Sequence, residues 1–225
     1  MDDLPLFPLP DTVVFPGMTV PLHIFEERYK RLVRTVVDSE PKRFVIALAP
    51  NAEAIRDLRP PLPHYGSFVD LLSVEENDDG SFNVLAHGQE RCRLEIIREE
   101  SVAEPEGSEH SLYYVEDLPE PVEREDPNQE RLIAWDAVDT FRAYAATFFA
   151  FDALGQIEDS LPEDPIYQAS FICANIRVPA ASRQVLLDAP TLSSRFQLAR
   201  KLMQERLDGH RPAADDAVDA DDEEA

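Results

Sequence analysis

Positive charge is scarce in this sequence of 225 residues. Lys and Arg together number 21 against 45 Asp and Glu, which gives a formal net charge of −24. Only Lys30, Lys42 and Lys201 are lysines. Proteins that hold nucleic-acid phosphates or an anionic membrane surface need clustered cations. We therefore expect neither nucleic acid nor a membrane among the partners of this protein.

Cysteine and glycine are also few, and their spacing excludes several kinds of site. The two cysteines, Cys92 and Cys173, are too far apart for a CxxC metal or redox motif, and their apolar neighbours predict buried free thiols. The seven glycines are scattered, so there is no GxGxxG dinucleotide fingerprint. A phosphate-binding P-loop needs Lys before Ser or Thr, whereas the three lysines precede Arg31, Arg43 and Leu202.

Long apolar segments are absent as well. No stretch approaches the roughly 18 uncharged apolar residues of a membrane helix. The sequence starts Met-Asp-Asp and then meets prolines, without the basic and apolar regions of a secretion signal. The sequence therefore predicts a soluble cytoplasmic protein, and its 44% hydrophobic residues suffice for a packed core.

No pattern typical of catalysis or metal binding is present. Ser67 follows Gly66 but lacks the second glycine of a nucleophile elbow, and adjacent carboxylates are too common in so acidic a chain to indicate a glycosidase pair. No histidine has a second one at metal-ligand spacing; the five are His23, His64, His87, His110 and His210. We predict no catalytic residue, no cofactor and no metal. A small hydrolase with a dispersed site stays open, because such a site needs no motif.

Proline positions organise the first half of the chain. They crowd residues 5–21, where short apolar runs between prolines predict edge strands, with a turn at Pro16-Gly17. Apolar residues at helical spacing predict an amphipathic helix over 25–38. Strands are predicted over 44–49 and 113–115. Residues 66–75 and 81–90 are predicted to form a hairpin around the turn Asp78-Asp79-Gly80, and a further strand is predicted over 91–97, after a bend at Gly88.

The second half predicts helices. An apolar stripe from Asn128 to Phe149 predicts one long helix, with Asp126 before Pro127 as its cap. Shorter helices are predicted over 166–176, 181–187 and 192–207, the last capped by Thr191. The acidic end has few apolar residues, which is typical of disorder. We divide the chain into a β-rich unit over 1–120, a helical unit over 121–209 and a disordered acidic tail over 210–225.

The negative charge is concentrated in two segments. Residues 95–130 hold 13 acids and two bases, and residues 213–225 hold seven acids and no base. Together these segments account for −18 of the −24. The remaining framework is an ordinary, mildly acidic surface.

Six residues are candidates for contact with a partner protein. Val14–Met18 and Ile24-Phe25 lie beside proline-restricted strands, whose free backbone groups suit the addition of a peptide strand. Trp135 and Phe151 fall off the main stripe of the long helix. The candidate set is Phe15, Pro16, Met18, Phe25, Trp135 and Phe151. The alternative for Phe15, Met18 and Phe25 is that they are core residues.

Several segments together resemble the N-terminal substrate-binding domain of Lon proteases, and stand-alone Lon N-domain proteins in particular. The opening Leu4–Leu9, Val13–Met18 and Pro21–Glu26 carries the most specific likeness. Gly66–Val69 and Phe82–Arg93 extend it. In the helical half, Gln184–Asp188, Arg195-Phe196 and Leu202 continue a looser likeness, so that the resemblance covers about residues 4–207.

The resemblance implies an α+β fold: a six-stranded PUA-like pseudo-barrel with one inserted helix, followed by a helical bundle. It implies a non-enzymatic protein-interaction module that binds unfolded or tagged polypeptides, or an adaptor to a separate protease or ATPase in protein quality control. The P-loop ATPase and Ser-Lys peptidase segments of full-length Lon have no counterpart here. The wider PUA-like group also contains RNA-binding domains, an alternative that the charge opposes.

Overall fold

The computed structural model describes residues 3–49 and 62–210, with backbone alone for residues 151–153. The predicted tail over 210–225 lies outside these residues except for His210. Seven strands and six helices follow one another along the described chain: β1 Asp3–Pro10, β2 Thr19–Ile24, α1 Glu27–Val37, β3 Arg43–Ala49, β4 Tyr65–Glu76, β5 Phe82–Arg93, β6 Ile96–Ala103, β7 Glu109–Glu116, α2 Pro127–Phe148, α3 Phe151–Ser160, α4 Pro165–Asn175, α5 Ala180–Asp188 and α6 Leu192–His210. The α+β class is confirmed.

The strands form one sheet of seven in the order β2-β5-β4-β3-β1-β7-β6, where six strands were expected. The expectation that both proline-rich strands lie at edges is confirmed for β2 and wrong for β1. Residues 3–6 of β1 pair with β7, whereas residues 6–10 pair with β3 on the other side. Because of this offset, Pro5, Pro8 and Pro10 each face a partner strand on one side only, so their missing N–H groups are tolerated within the sheet.

The hairpin prediction is confirmed. Strands β4 and β5 pair antiparallel around a turn in which Gly80 has a φ of +76°, a value that favours glycine. The bend expected at Gly88 appears as a shift of register between β4 and β5. Ser67 pairs with Arg91 and Val69 pairs with Gly88, and the shift lies between these two pairs. The strand predicted over residues 91–97 is wrong in its bounds: β5 ends at Arg93 and β6 runs to Ala103. Strand β6 is a mostly exposed edge strand, so no buried apolar face marked it in the sequence.

The helical half contains one more helix than predicted. Helix α2 starts where expected, because the Asp126 carboxylate accepts hydrogen bonds from the N–H groups of Asn128 and Gln129, a typical N-cap. It ends at Phe148, and α3 follows after a two-residue break. The cap on α6 is also confirmed, since the Ser194 N–H donates to Thr191 Oγ1 at 3.1 Å.

Two main cores hold the molecule together, and the segment between β1 and β2 joins them. Helix α1 packs on the sheet through residues such as Leu32 and Val36. The helices enclose a second core around Phe141 and Phe196, and Phe15 enters this core from the segment between the strands. Burial of Phe15 therefore fastens the sheet to the helices.

Two buried arginines close the junction between sheet and helices. Arg91 of β5 donates through Nη1 to the carbonyls of Leu187 and Ala189, at 3.0 and 2.8 Å. Arg195 of α6 donates to the carbonyls of Leu186 and Leu187, at 3.0 and 3.1 Å. These carbonyls lie at the C-terminal end of α5, where a helix carries unpaired acceptors and partial negative charge. The two guanidinium groups thus tie α5 to both β5 and α6.

Both cysteines are buried and free, as predicted. Burial raises the pKa of each thiol to about 12, so neither is a ready nucleophile near neutral pH. Of the helices in the described ranges, none combines the length and apolarity needed to cross a membrane.

The buried carboxylate of Glu130 should make the start of α2 sensitive to acid. It accepts hydrogen bonds from Arg124 Nη2 at 2.7 Å and from the Glu125 N–H at 2.6 Å. The Arg124 guanidinium, aided by that N–H, holds the pKa of Glu130 below its usual value. Such a group stabilises the fold above its unfolded pKa of about 4.3, and the stabilisation is lost as the pH falls through the folded value.

We therefore expect Glu130→Gln to lower the free energy of unfolding by about 1 to 2 kcal/mol at pH 7, with a difference that vanishes in acid. Urea unfolding between pH 3 and 7 measures both quantities. The exposed Glu205→Gln on α6 is the control and should change little at any pH. A deficit for Glu130→Gln that persisted undiminished at low pH would contradict the assignment.

Candidate functional site

The outward face of edge strand β2 carries an exposed aromatic residue. Side chains of a strand alternate between its two faces, and in β2 the buried Val20 and Ile24 face the core while Pro21 and His23 face outward. Phe25 follows directly and is 66% exposed. Its ring lies 6.1 Å from that of His23, measured between centroids. A large apolar side chain left in water forgoes about 2 kcal/mol of burial, which makes this position a candidate for a contact.

Phe25 borders a concavity of about 300 Å³, which we call the Phe25 groove. Its apolar lining combines Phe7, Pro8 and Pro10 from β1 with Ile24. Phe7 packs edge to face on Tyr29, with 4.4 Å between the ring centroids. The groove therefore lies where the end of β2 and the start of α1 meet the far end of β1.

The charged groups beside the Phe25 groove are already paired. Arg28, fully buried, donates through Nη2 to Glu26 at 2.8 Å and through Nη1 to the Ser111 carbonyl at 3.4 Å. Burial raises the pKa of Tyr29 well above its usual value, so the phenol stays neutral. The groove thus offers apolar contacts and little free charge, a chemistry suited to aliphatic or aromatic side chains.

A second concavity, of about 530 Å³, lies along the sheet face of β2, β5 and β4. It is lined by Leu22, Val74 and Leu85, and His23 belongs to both concavities. Leu72 on β4 is also exposed, to 56%. Within the described part of the chain, β2 has no partner on its outer edge, and both concavities border this strand.

The six predicted contact residues do not converge on one surface. Phe15 is wholly buried and is removed from the set, which agrees with the alternative that it is a core residue. Pro16 and Met18 are partly exposed beside it, and Met18 packs against both cores. None of the three lines the Phe25 groove.

Of the others, Phe25 is exposed in the groove, which excludes the core reading for this residue. Trp135 is 69% exposed on α2, where Leu132 accompanies it. Phe151 begins α3, and its side chain lies outside the described residues.

The described residues offer no assembled catalytic group. Ser67 is buried, and its hydroxyl donates to the Val14 carbonyl at 2.6 Å, so it bridges two backbone segments. His23 Nδ1 lies 3.0 Å from the side-chain oxygen of Asn83, an exposed neighbour. Within residues 3–49 and 62–210, no three His, Cys, Asp or Glu side chains are grouped so that they could hold a metal ion.

Sequence reasoning missed several residues of this surface. His23, Leu72, Pro8 and Pro10 were not selected, although the alternation of β2 around Ile24 would have placed His23 and Phe25 on the same outward face. Pro8 and Pro10 gave no such signal, because their place in the groove depends on the pairing of β1 with β3.

Comparison with known proteins identifies the family. The family model for the ATP-dependent protease La (LON) substrate-binding domain matches residues 3–205 of the sequence. Lon protease 2 of Desulfotalea psychrophila is 26% identical over 207 residues, which are 88% of this chain and 24% of that protein. Lon protease of Escherichia coli K12 is 22% identical over 209 residues, 92% of this chain and 25% of that protein. The chain thus spans about a quarter of the length of these relatives.

Solved structures share the fold. The N-terminal domain of a Mycobacterium avium complex Lon protease superposes with a TM-score of 0.65 at 17% identity, covering 91% of this chain and 99% of that one. The Lon N-terminal domain protein of Xanthomonas campestris gives 0.54 at 20% identity, covering 94% and 100%. With the family model matched over nearly all of the described residues, the chain belongs to the LON substrate-binding domain family.

Proposed function

We propose that this protein is a non-enzymatic module that binds unfolded polypeptides, and that the Phe25 groove is the contact surface. Its family is one of substrate-binding domains. The observation that carries the choice of surface is the exposure of Phe25 beside an apolar concavity, at a strand edge that no described residue pairs with. Unfolded chains expose apolar side chains and free backbone groups, and this surface accepts both.

Backbone pairing supports the proposal. Strand β2 pairs with β5 along one edge and ends the sheet on the other. An extended peptide can add to such an edge through main-chain hydrogen bonds, while pockets for alternate side chains supply selectivity. The two concavities that meet at His23 lie where those side chains would fall. Binding of this kind selects for extended, apolar segments rather than for a particular amino-acid sequence.

The same binding suits an adaptor in protein quality control, working with a separate protease or ATPase. The relatives are proteases about four times as long, and the match to them covers the substrate-binding domain. In this proposal the chain itself cleaves nothing and holds clients through apolar contact.

Replacing Phe25 tests the surface. We expect Phe25→Ala to weaken binding to fluorescently labelled casein by about tenfold, the effect of losing one central aromatic contact. Fluorescence anisotropy measures the dissociation constant. Trp135→Ala is the matched control, because it removes an aromatic residue of similar exposure from a different element, α2.

Wild-type protein that did not bind casein, and did not slow the aggregation of a denatured protein, would exclude the proposed function. Normal binding by Phe25→Ala with weakened binding by Trp135→Ala would move the contact surface to α2. Because Phe25 is largely exposed, the variant is expected to fold, and its melting temperature checks this.

A further inference from the structure

A pocket of about 220 Å³ lies at the junction of the sheet and the helices, away from the Phe25 groove. We call it the junction pocket and define it by six of its lining residues, Gln89, Arg91, Val122, Ile166, Tyr167 and Arg195. They come from β5, from the connector after β7, and from α4 and α6. The proposed function makes no use of this pocket.

Both arginines of the junction pocket keep a donor group free. Arg91 uses Nε for the Glu120 carbonyl and Nη1 for the carbonyls of Leu187 and Ala189. Arg195 uses Nε and Nη2 for the carbonyls at the end of α5. Among the described residues, Arg91 Nη2 and Arg195 Nη1 have no hydrogen-bond acceptor. Since both side chains line the pocket, an acceptor placed there would complete their hydrogen bonding.

Neither arginine has a carboxylate as a hydrogen-bond acceptor among the described residues, although Arg91 stacks on the Tyr65 ring, 4.0 Å from its centroid. Arg91 is 4% and Arg195 1% exposed, and their hydrogen-bond acceptors are neutral carbonyls. Burial lowers the pKa of Arg195 to about 10, and the nearby positive charge of Arg91 contributes to this. A buried charge is costly until an opposite charge is paired with it. An anion within the pocket would supply that charge.

The neighbouring carboxylates are exposed or already bonded. Glu120, which lies near Arg91, accepts a hydrogen bond from the Tyr65 hydroxyl at 2.6 Å. Asp188 accepts a hydrogen bond from Gln184, and burial raises its pKa. Asp164 is exposed at the rim and caps α4 by accepting from the Ile166 N–H. Glu90, also at the rim, is exposed. Among the described residues, none of these carboxylates is hydrogen-bonded to Arg91 or Arg195.

Apart from Gln89 and the rim carboxylates, the rest of the lining is apolar. Pro16, Pro121, Val122, Ile166 and Tyr167 surround the arginines. The volume is below the range of roughly 300–1,000 Å³ that holds larger organic ligands. A planar carboxylate matches the donor geometry of guanidinium groups, and the apolar walls suit a short hydrocarbon group attached to it.

We propose that the junction pocket binds a carboxylate carried on a small apolar group, with Arg91 Nη2 and Arg195 Nη1 as the donors. Two sources provide this chemistry: a free short-chain carboxylic acid, and the C-terminal residue of a polypeptide whose side chain is apolar. In both, the carboxylate bridges the two arginines and the apolar group contacts Val122 and Ile166.

Titration followed by NMR of the arginine side chains tests the proposal on the full chain. The probes are isovalerate, N-acetyl-alanyl-leucine, and the C-terminal amide of that dipeptide. We expect saturable shifts of the Arg91 and Arg195 Nε–Hε signals with at least one of the two carboxylates and none with the amide. Binding of isovalerate alone identifies a free acid as the ligand, whereas binding of the dipeptide identifies a chain end.

Gln89→Glu provides the matching variant, because it adds a carboxylate to the pocket lining that competes for the same N–H groups. We expect it to weaken carboxylate binding about tenfold, as a like charge at close range predicts. Gln129→Glu adds the same charge at an exposed position of α2 and should bind as the wild type does.

The proposal is overturned if neither carboxylate gives saturable shifts at millimolar concentration, if the amide binds as well as the acid, or if Gln89→Glu binds undiminished. The comparison of acid with amide uses wild-type protein, so it stands even if the variant is unstable. Casein binding is independent of these outcomes, which keeps this test separate from that of the Phe25 groove.

Discussion

Replacing Arg195 by Met should lower the free energy of unfolding by about 3 kcal/mol, because the carbonyls at the end of α5 would lose charged donors in a buried place. Met fills a comparable volume without an N–H group, so the effect reports on hydrogen bonding more than on a cavity. Arg91 would still donate to Leu187 and Ala189, which prevents complete loss of the junction. Urea unfolding at pH 7 measures the difference.

Arg200→Met is the control, since Arg200 lies on the same helix, is half-exposed and pairs with Asp136 at the surface. Exposed ion pairs contribute little, so this change should stay within about 0.5 kcal/mol. Equal destabilisation by the two substitutions would show that the donors of Arg195 do not hold α5 in place.

Gly88→Ala should cost about 2 to 4 kcal/mol by overpacking a fixed backbone contact. A Cβ atom at Gly88 would collide with the Phe15 carbonyl oxygen and come within 2.8 Å of Val14 Cγ1. The Gly88 N–H also donates to the Met18 carbonyl at 2.7 Å. To make room, the segment that carries Phe15 into the helical core would have to move, so we expect sheet and helices to lose stability together.

Gly155→Ala is the same substitution where nothing obstructs it. Gly155 lies in α3, and a Cβ built there has no described neighbour within 4 Å apart from the adjacent residues and the backbone of its own helix. Alanine is the better helix former, so this variant should gain about 0.5 to 1 kcal/mol. Thermal unfolding of the two variants should show melting temperatures shifted in opposite directions from the wild type. A neutral Gly88→Ala would mean that the contact between β5 and the Phe15 segment is loose.

Local signals in the sequence predicted much of the fold. The Asp-Gly turn of the hairpin, the Asp126 cap with Pro127, and the Thr191 cap each involve residues within a few positions of one another. Their hydrogen bonds depend on the backbone next to them, so a sequence pattern is sufficient to locate them.

Features that depend on distant pairing could not be predicted in this way. The inner position of β1 arises from an offset between partners at residues 45–49 and 113–116. Strand β6 has exposed, charged residues, so it lacked the alternation that marks a half-buried strand. The break that separates α3 from α2 was hidden inside one continuous apolar stripe.

The same distinction, between local patterns and distant packing, decides which residues of the candidate sites could be predicted from the sequence. Phe25 was selected from the sequence, yet so was Phe15, and only the packing of the helices separates an exposed residue from a buried one. Arg91 and Arg195 belong to segments that carry the family resemblance, but nothing in the sequence marked them as part of a site. The carbonyls that bind Arg91 lie 96 and 98 positions away along the chain. A buried cation held by carbonyl oxygens has no partner residue type that a sequence could reveal.

The offset pairing of β1 has a consequence for synthesis on the ribosome. Residues 3–6 are made well before their partner strand, which ends at Glu116. Contacts between positions so far apart form slowly and after local structure. During synthesis, residues 3–6 therefore lack their β7 partner until β7 has left the ribosome, whereas residues 6–10 can pair earlier with β3. The β4–β5 hairpin, whose strands are neighbours in sequence, can form before this distant pairing is made.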